Sequence, residues 1–234
     1  MSLSTPIAQG LATVRATVAR ACAEVGRDPA EVTLVAVSKL KPPADIRAAM
    51  AAGQVHFGEN YAQHLRDKAM ELGVGPAVEG APPLPVWHFI GPLQRNKVKY
   101  VVGTAALIHA VDSEKLGLAI AERAGDRPVG ILVQVNIGRE DTKSGVLPEQ
   151  ALELCATLHG IPGLALRGLM CIPPPGADES TRDLFRALAG LAAEGRARGL
   201  PLAELSMGMS QDYPLAVACG ATLVRVGTAI FGER

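Results

Sequence analysis

The chain has 234 residues, long enough for one large domain or two small ones. Hydrophobic residues make up 48% and charged residues 20%, which excludes a disordered chain, and aromatics are only 3%, so the core is built from Ala, Val, Leu and Ile. Twenty-three basic side chains cancel 23 acidic ones, leaving no global electrostatic footprint for nucleic acid or an anionic membrane.

Residues 6–25 carry apolar side chains at helical spacing (Ile7, Leu11, Val14, Val18, Cys22, Val25), and Gly26 is a stop. Residues 32–39, VTLVAVSK, are apolar at nearly every position and read as a strand buried on both faces. Pro42, Pro43 and Asp45 open a helix that Gly53 ends. The unit then recurs. Strands are predicted at 54–60, 86–91, 106–112, 130–136, 164–172, 203–209 and 222–227. Helices are predicted at 61–72, 94–101, 114–124 with Ser113 as N-cap, 148–159, 178–197 and 212–219. The Gly- and Pro-rich stretch 73–85 reads as a surface loop rather than a linker.

About eight strand–helix units, with one helix ahead of the first strand and none after the last, predict a single (β/α)₈ barrel over residues 1–234. The leading helix is placed where an eighth helix would cover the barrel. An open doubly wound sheet is the alternative. The start of the chain has no basic segment followed by an apolar core, and no window of about 18 apolar residues exists, so neither a signal peptide nor a membrane span is expected. Cys22, Cys155, Cys171 and Cys219 are dispersed and form no CxxC, which suggests thiols in a reducing cytoplasm. His56, His88 and His109 fall in three successive strands, and His64 and His159 in helices. With no HExxH pattern they read as polar barrel fillers rather than metal ligands.

Barrel chemistry sits where strands end. The first strand ends in Ser38-Lys39, and a poorly solvated lysine there would keep a fraction of neutral, nucleophilic amine; alternatively Lys39 reaches solvent, like Lys41. The loops after strands seven and eight carry glycines and the hydroxyls Ser210 and Thr228, a phosphate-binding pattern that competes with an ordinary cap at Ser210 and an ordinary turn at Gly227. A phosphate anchor facing a lysine is what pyridoxal 5′-phosphate (PLP) requires. Arg225, on strand eight, either faces the pyridine nitrogen or belongs to an ion pair inside the barrel.

Seven segments carry a resemblance: LVAVSK (34–39), FGENYAQ (57–63), WHFIGPLQRNK (87–97), HAVDS (109–113), QVNIGREDTKSG (134–145), RGLMCIPP (167–174) and LSMGMSQDYPLAVACGATLVRVGTAIFG (205–232). They run over nearly the whole chain, and it resembles the pyridoxal phosphate homeostasis protein family, relatives of the N-terminal barrel of alanine racemase. The resemblance implies a modified barrel holding PLP, with Lys39 as the Schiff-base lysine and Asn60 near the cofactor. It further implies Ser210, Gly227 and Thr228 at the phosphate, Arg225 by the ring nitrogen and Met207 in the pocket wall. Gly138 and Arg139 lie in a loop that varies, and His64 stands where the family often has an acid.

Racemases and decarboxylases need a further acid or base over the ring. In alanine racemase a second domain and a partner subunit supply part of it. Here the sequence stops after strand eight, and Tyr61, Tyr100 and Tyr213 match no such position. The expectation is a monomeric, cytoplasmic PLP carrier without established turnover, serving PLP supply and amino-acid balance, with apo-enzymes as possible recipients. A weak amino-acid racemase and a phosphosugar-binding barrel without PLP are the alternatives.

Overall fold

The structure is a computed structural model, and it describes residues 5–74 and 84–233. The start of the chain and most of the loop expected at 73–85 lie outside those residues. Eight strands follow one another: β1 (Thr33–Val37), β2 (His56–Glu59), β3 (Val86–Phe89), β4 (Leu107–Val111), β5 (Val129–Val135), β6 (Leu164–Cys171), β7 (Glu204–Ser206) and β8 (Leu223–Val226). Each pairs in parallel with the next, and β8 closes on β1 through Val35 opposite Arg225 and Ala36 opposite Val226. The ring is therefore a closed barrel, and the open-sheet alternative is excluded.

The helices alternate with the strands: α1 (Pro6–Glu24), α2 (Pro43–Ala51), α3 (Ala62–Leu72), α4 (Glu114–Ala121), α5 (Pro148–His159), α6 (Glu179–Ala197), α7 (Tyr213–Ala218) and α8 (Thr228–Phe231). Local chemistry starts them. The Thr5 hydroxyl accepts from Ala8 N at 3.3 Å with Pro6 at the first helical position, and Ser113 accepts from Leu116 N at 3.3 Å. Pro43 and Asp45 occupy the first turn of α2.

Three predicted elements differ from the structure. Residues 95–100 form a 3₁₀ helix, not an α-helix. Strand β7 ends at Ser206 because Gly208 takes φ +91° and Met209 N turns to the Asp212 carboxylate. A helix does follow the last strand: α8 is a single turn, too short to show a helical period in the sequence. Lys41 holds its end by donating to the carbonyls of Phe231 and Gly232 at 3.0 and 3.2 Å, so this lysine does not simply reach solvent.

Helix α1 packs on α2, α7 and α8, covering the seam between β8 and β1. A Cβ at Gly10 would stand 2.7 Å from the Ala229 carbonyl oxygen, so only glycine lets α1 and α8 approach this closely.

Two apolar clusters flank the barrel wall. The larger joins strands to helices and contains Trp87, Phe89, Phe57, Phe185 and many Leu, Val and Ile side chains. The smaller contains Val35, Leu107, Ala110, Leu132, Met170 and Leu223, all strand residues, and fills the lumen. The lumen also holds polar groups, in keeping with the reading of the strand histidines as barrel fillers. His88, His109, Ser206 and Arg225 are buried as well.

Candidate functional site

Chain direction decides where chemistry gathers. All eight strands are parallel, so their C-terminal ends open on one face, and a cavity of about 460 Å³ lies there. Lys39, Asn60, Ser210, Arg225, Gly227 and Thr228 all line it. They come from the ends of β1, β2, β7 and β8, which only closure of the barrel brings together.

Lys39 stands two residues beyond β1, half-buried, on a backbone that is firmly held. Lys68 from α3 donates to the Ser38 carbonyl at 2.7 Å and to Glu59 Oε1 at 2.6 Å. The Ser38 hydroxyl donates to the same carboxylate oxygen at 2.7 Å. This buried triad fixes the residue before Lys39 and the residue before Asn60. Leu40, directly after Lys39, is exposed with φ +61°, a strained conformation for a leucine.

Asn60 is positioned from beneath by a close backbone approach. A Cβ at Gly91 would lie 2.3 Å from the Asn60 carbonyl oxygen, so glycine is required two residues past β3. The Asn60 Oδ1 is buried and accepts no hydrogen bond. A buried acceptor without a donor is costly in the ligand-free chain and marks a place where a ligand donor fits.

The far wall is made by the loops after β7 and β8. Gly227 N donates to Ser210 Oγ at 3.3 Å and ties the two loops together. Ser210 is therefore not the cap of α7; that position belongs to Asp212. Asp212 is buried and lines the cavity, and burial raises its pKa, opposed by the bond from Met209 N and by the charge of Arg225. Lys143, from the loop after β5, also lines the cavity.

Arg225 is 3% exposed and donates from Nη1 to Ser206 Oγ at 2.5 Å and from Nη2 to the Cys171 carbonyl at 2.9 Å. Burial lowers its pKa from the ordinary value, while the neighbouring Cys171 and Asp212 raise it. No salt bridge to it exists among the described residues, so the ion-pair reading of Arg225 finds no carboxylate in contact.

Met207 does not line the cavity. It is fully buried in the cluster between strands and helices, and Met209 is the methionine that faces the cavity. The alternation of side chains along an extended chain turns Met207 outward, because Ser206 before it faces the lumen and the backbone turns only at Gly208. Nothing in the sequence singles out Asp212, Lys143, Glu59 or Lys68 as site residues. Glu59, Lys143 and Asp212 lie inside segments that carry the resemblance, and Lys68 lies only in the helix predicted at 61–72. None of Tyr61, Tyr100 or Tyr213 lines the cavity.

Residues 11–234 match the family described as alanine racemase, N-terminal domain. The pyridoxal phosphate homeostasis protein of Escherichia coli strain K12 is 43% identical over 242 residues, covering 97% of this chain and 97% of the relative. That of Pseudomonas aeruginosa is 42% identical over 231 residues, covering 97% and 96%. Among solved structures, PipY of Synechococcus elongatus with PLP bound is 38% identical, with a TM-score of 0.80, covering 97% of this chain and all (100%) of that one. No helix among the described residues is long and apolar enough to cross a membrane. A barrel of this topology, matched over almost its full length at this identity, places the chain in the family of pyridoxal phosphate homeostasis proteins.

Proposed function

We propose that the chain binds PLP in the cavity at the C-terminal face of the barrel and serves to hold and supply it. One observation carries the reading. An amine, a buried cation, a buried acceptor lacking a donor and a hydroxyl-bearing double loop converge on one cavity of about 460 Å³. The donor set suits the ligand. Lys39 is its covalent anchor through the aldehyde carbon. Ser210, Gly227 and Thr228 take the phosphate, Asn60 lies at the ring's substituents and Arg225 faces the ring nitrogen. A fixed cation there disfavours a protonated ring nitrogen and leaves the ring a weaker electron sink. Bound, the group supplies an electrophilic carbon conjugated to an electron-withdrawing ring. The chain's own part is to hold that carbon at Lys39 and to keep the ring unprotonated. PipY, a relative whose structure holds PLP, supports the reading.

Carriage rather than turnover is the role we infer. Beside Lys39 and Arg225, the titratable side chains lining the cavity among the described residues are Lys143 and Asp212, and Asp212 is engaged by Met209 N. No tyrosine or histidine stands opposite Lys39 in that lining. We infer a cytoplasmic monomer, one cofactor-binding unit over residues 1–234, that passes PLP to apo-enzymes.

Reconstitution with PLP, followed by borohydride reduction and peptide mapping, tests the site. The expected adduct is on Lys39, with the absorbance band lost in Lys39→Ala. A wild type that stays colourless with PLP overturns the reading and favours a plain phosphate-binding barrel. Incubation with L-amino acids in deuterium oxide tests the carrier role. Sustained exchange at Cα makes the chain an enzyme instead.

A further inference from the structure

A continuous line of hydrogen bonds crosses the lumen beneath the cavity. Arg225 Nη1 donates to Ser206 Oγ at 2.5 Å, and Ser206 Oγ lies 2.8 Å from His109 Nδ1. His109 Nε2 lies 2.9 Å from His88 Nδ1, and His88 Nε2 lies 2.9 Å from His56 Nδ1. Ser206 and His109 are fully buried and His88 is 4% exposed. His56, at the start of β2, lines a second cavity of about 400 Å³ at the opposite end of the barrel. The line therefore connects the two ends.

Its direction follows from hydrogen counting. Arginine only donates, so the Ser206 oxygen accepts from it, and the single Ser206 proton must find its own acceptor. In this buried place the acceptor at hand is His109 Nδ1. Burial holds His88 down to about 3 and His109 well below the ordinary histidine value, so both rings are neutral and carry one proton each. A His109 that accepts at Nδ1 bears its proton on Nε2 and donates to His88, which repeats the pattern toward His56. The opposite polarity would leave the Ser206 hydroxyl proton buried without a partner.

We propose that Ser206 and His109, backed by His88 and His56, are positioning residues for Arg225: they hold its guanidinium in one orientation at the cavity wall, and each imidazole in the line carries its proton on Nε2. The link to a ligand rests on the PLP reading above, but the orientation of Arg225 and the polarity of the line do not.

Nitrogen-15 NMR of the cofactor-free wild type tests both. Protonated Nε2 with bare Nδ1 is expected at all three histidines, with slowly exchanging Arg225 Nη protons. A protonated Nδ1 at His109 or His88 overturns the proposed polarity. In His109→Phe the Ser206 proton loses its acceptor, so the Arg225 protons are expected to exchange rapidly. In His109→Gln, whose amide oxygen can accept, slow exchange returns. Should His109→Phe fail to fold, Ser206→Ala removes only a hydroxyl and carries the same expectation. PLP titration adds the ligand readout: in Ser206→Ala the loss of one charge-assisted bond raises the dissociation constant about tenfold and shifts the absorbance maximum of the bound cofactor, His109→Phe moves both in the same direction, and His109→Gln recovers them. Unchanged exchange, affinity and spectrum in a folded His109→Phe or Ser206→Ala overturn the positioning role. A wild type that binds no PLP overturns the earlier reading instead, and the NMR comparison alone then decides this one.

Discussion

Strand residues alternate between two surroundings that obey different rules. On the outer face Phe57, Trp87, Phe89 and Ile131 meet side chains such as Leu65 and Phe185 from the helices, and nothing there depends on direction. In the lumen, Val35, Leu132 and Met170 share the space with a line of five polar groups, each of which needs its neighbour at one angle. The outer layer supplies free energy in proportion to buried area, about 1.5–3 kcal/mol for each large apolar side chain. The lumen supplies orientation, and a half-satisfied polar line there is worse than none. The difference teaches that stability and site geometry are built on opposite faces of the same strands, so substitutions should separate them.

The largest effect belongs to the outer layer. Phe185→Ala, at a fully buried position on α6, leaves a cavity and is expected to cost about 3–5 kcal/mol. Denaturant unfolding measures it, while the cavity residues at the strand ends keep their places and PLP affinity per folded molecule stays constant. A change of affinity equal to the loss of stability would break the separation of the two faces.

The buried Lys68–Glu59 pair comes next, because it belongs to both. Lys68→Met leaves the fully buried Glu59 carboxylate without its cation, an expected cost of about 3 kcal/mol, and frees the backbone at Ser38. Here stability and PLP affinity fall together. Adding Glu59→Gln to Lys68→Met should recover stability, since no unpaired charge remains, but not the lost anchor of Ser38. Full recovery of both would show that the triad does not position Lys39.

Acid sharpens the contrast from the lumen side. His88 titrates at about 3 in the folded chain and near 6.5 when unfolded, so the unfolded chain binds the extra proton as pH falls. Stability is therefore complete above about 6.5 and drains away as pH drops toward 3. His88 alone accounts for about 2 kcal/mol lost between pH 7 and 5, and His109, lowered in the same direction, adds to it. Asp112, Glu204 and Asp212, all raised by burial, act with the opposite sign. Comparing wild type with His88→Gln isolates the histidine: the variant's stability should fall less steeply between pH 7 and 5. Equal slopes would show that His88 is not held neutral.

The sequence made the outer layer legible and the lumen opaque, for a physical reason. Apolar periodicity reports burial against helices, and it placed α1, α5, α6 and the strands β1 and β5 within a residue or two. The ends of strands mark Lys39, Ser210, Arg225, Gly227 and Thr228 by chain direction, Asn60 is marked by the resemblance alone, and all six line one cavity once the barrel closes. The direction of Met207 is not legible in the sequence, because it depends on where β7 stops, which the Gly208 turn sets. Strand by strand, the histidines read only as fillers. That His56, His88 and His109 touch depends on the stagger of β2, β3 and β4, which no single strand encodes.

The smallest expected effect tests the boundary between the two faces. Leu40 is exposed at φ +61°, where a side chain costs about 1 kcal/mol and its exposure returns little. Leu40→Gly removes that strain, but glycine also gains freedom in the unfolded chain, so the net stabilisation should be about 0.5 kcal/mol. The instructive quantity is the neighbour. Lys39 lies between the pinned Ser38 and this strained turn. If the left-handed turn is what aims Lys39 at the cavity, Leu40→Gly gains stability, slackens the aim and slows trapping of PLP by borohydride at Lys39. If the Lys68–Glu59–Ser38 triad alone aims it, stability rises and trapping is unchanged. A loss of stability would show that the leucine side chain itself packs usefully, and that its conformation is no strain at all.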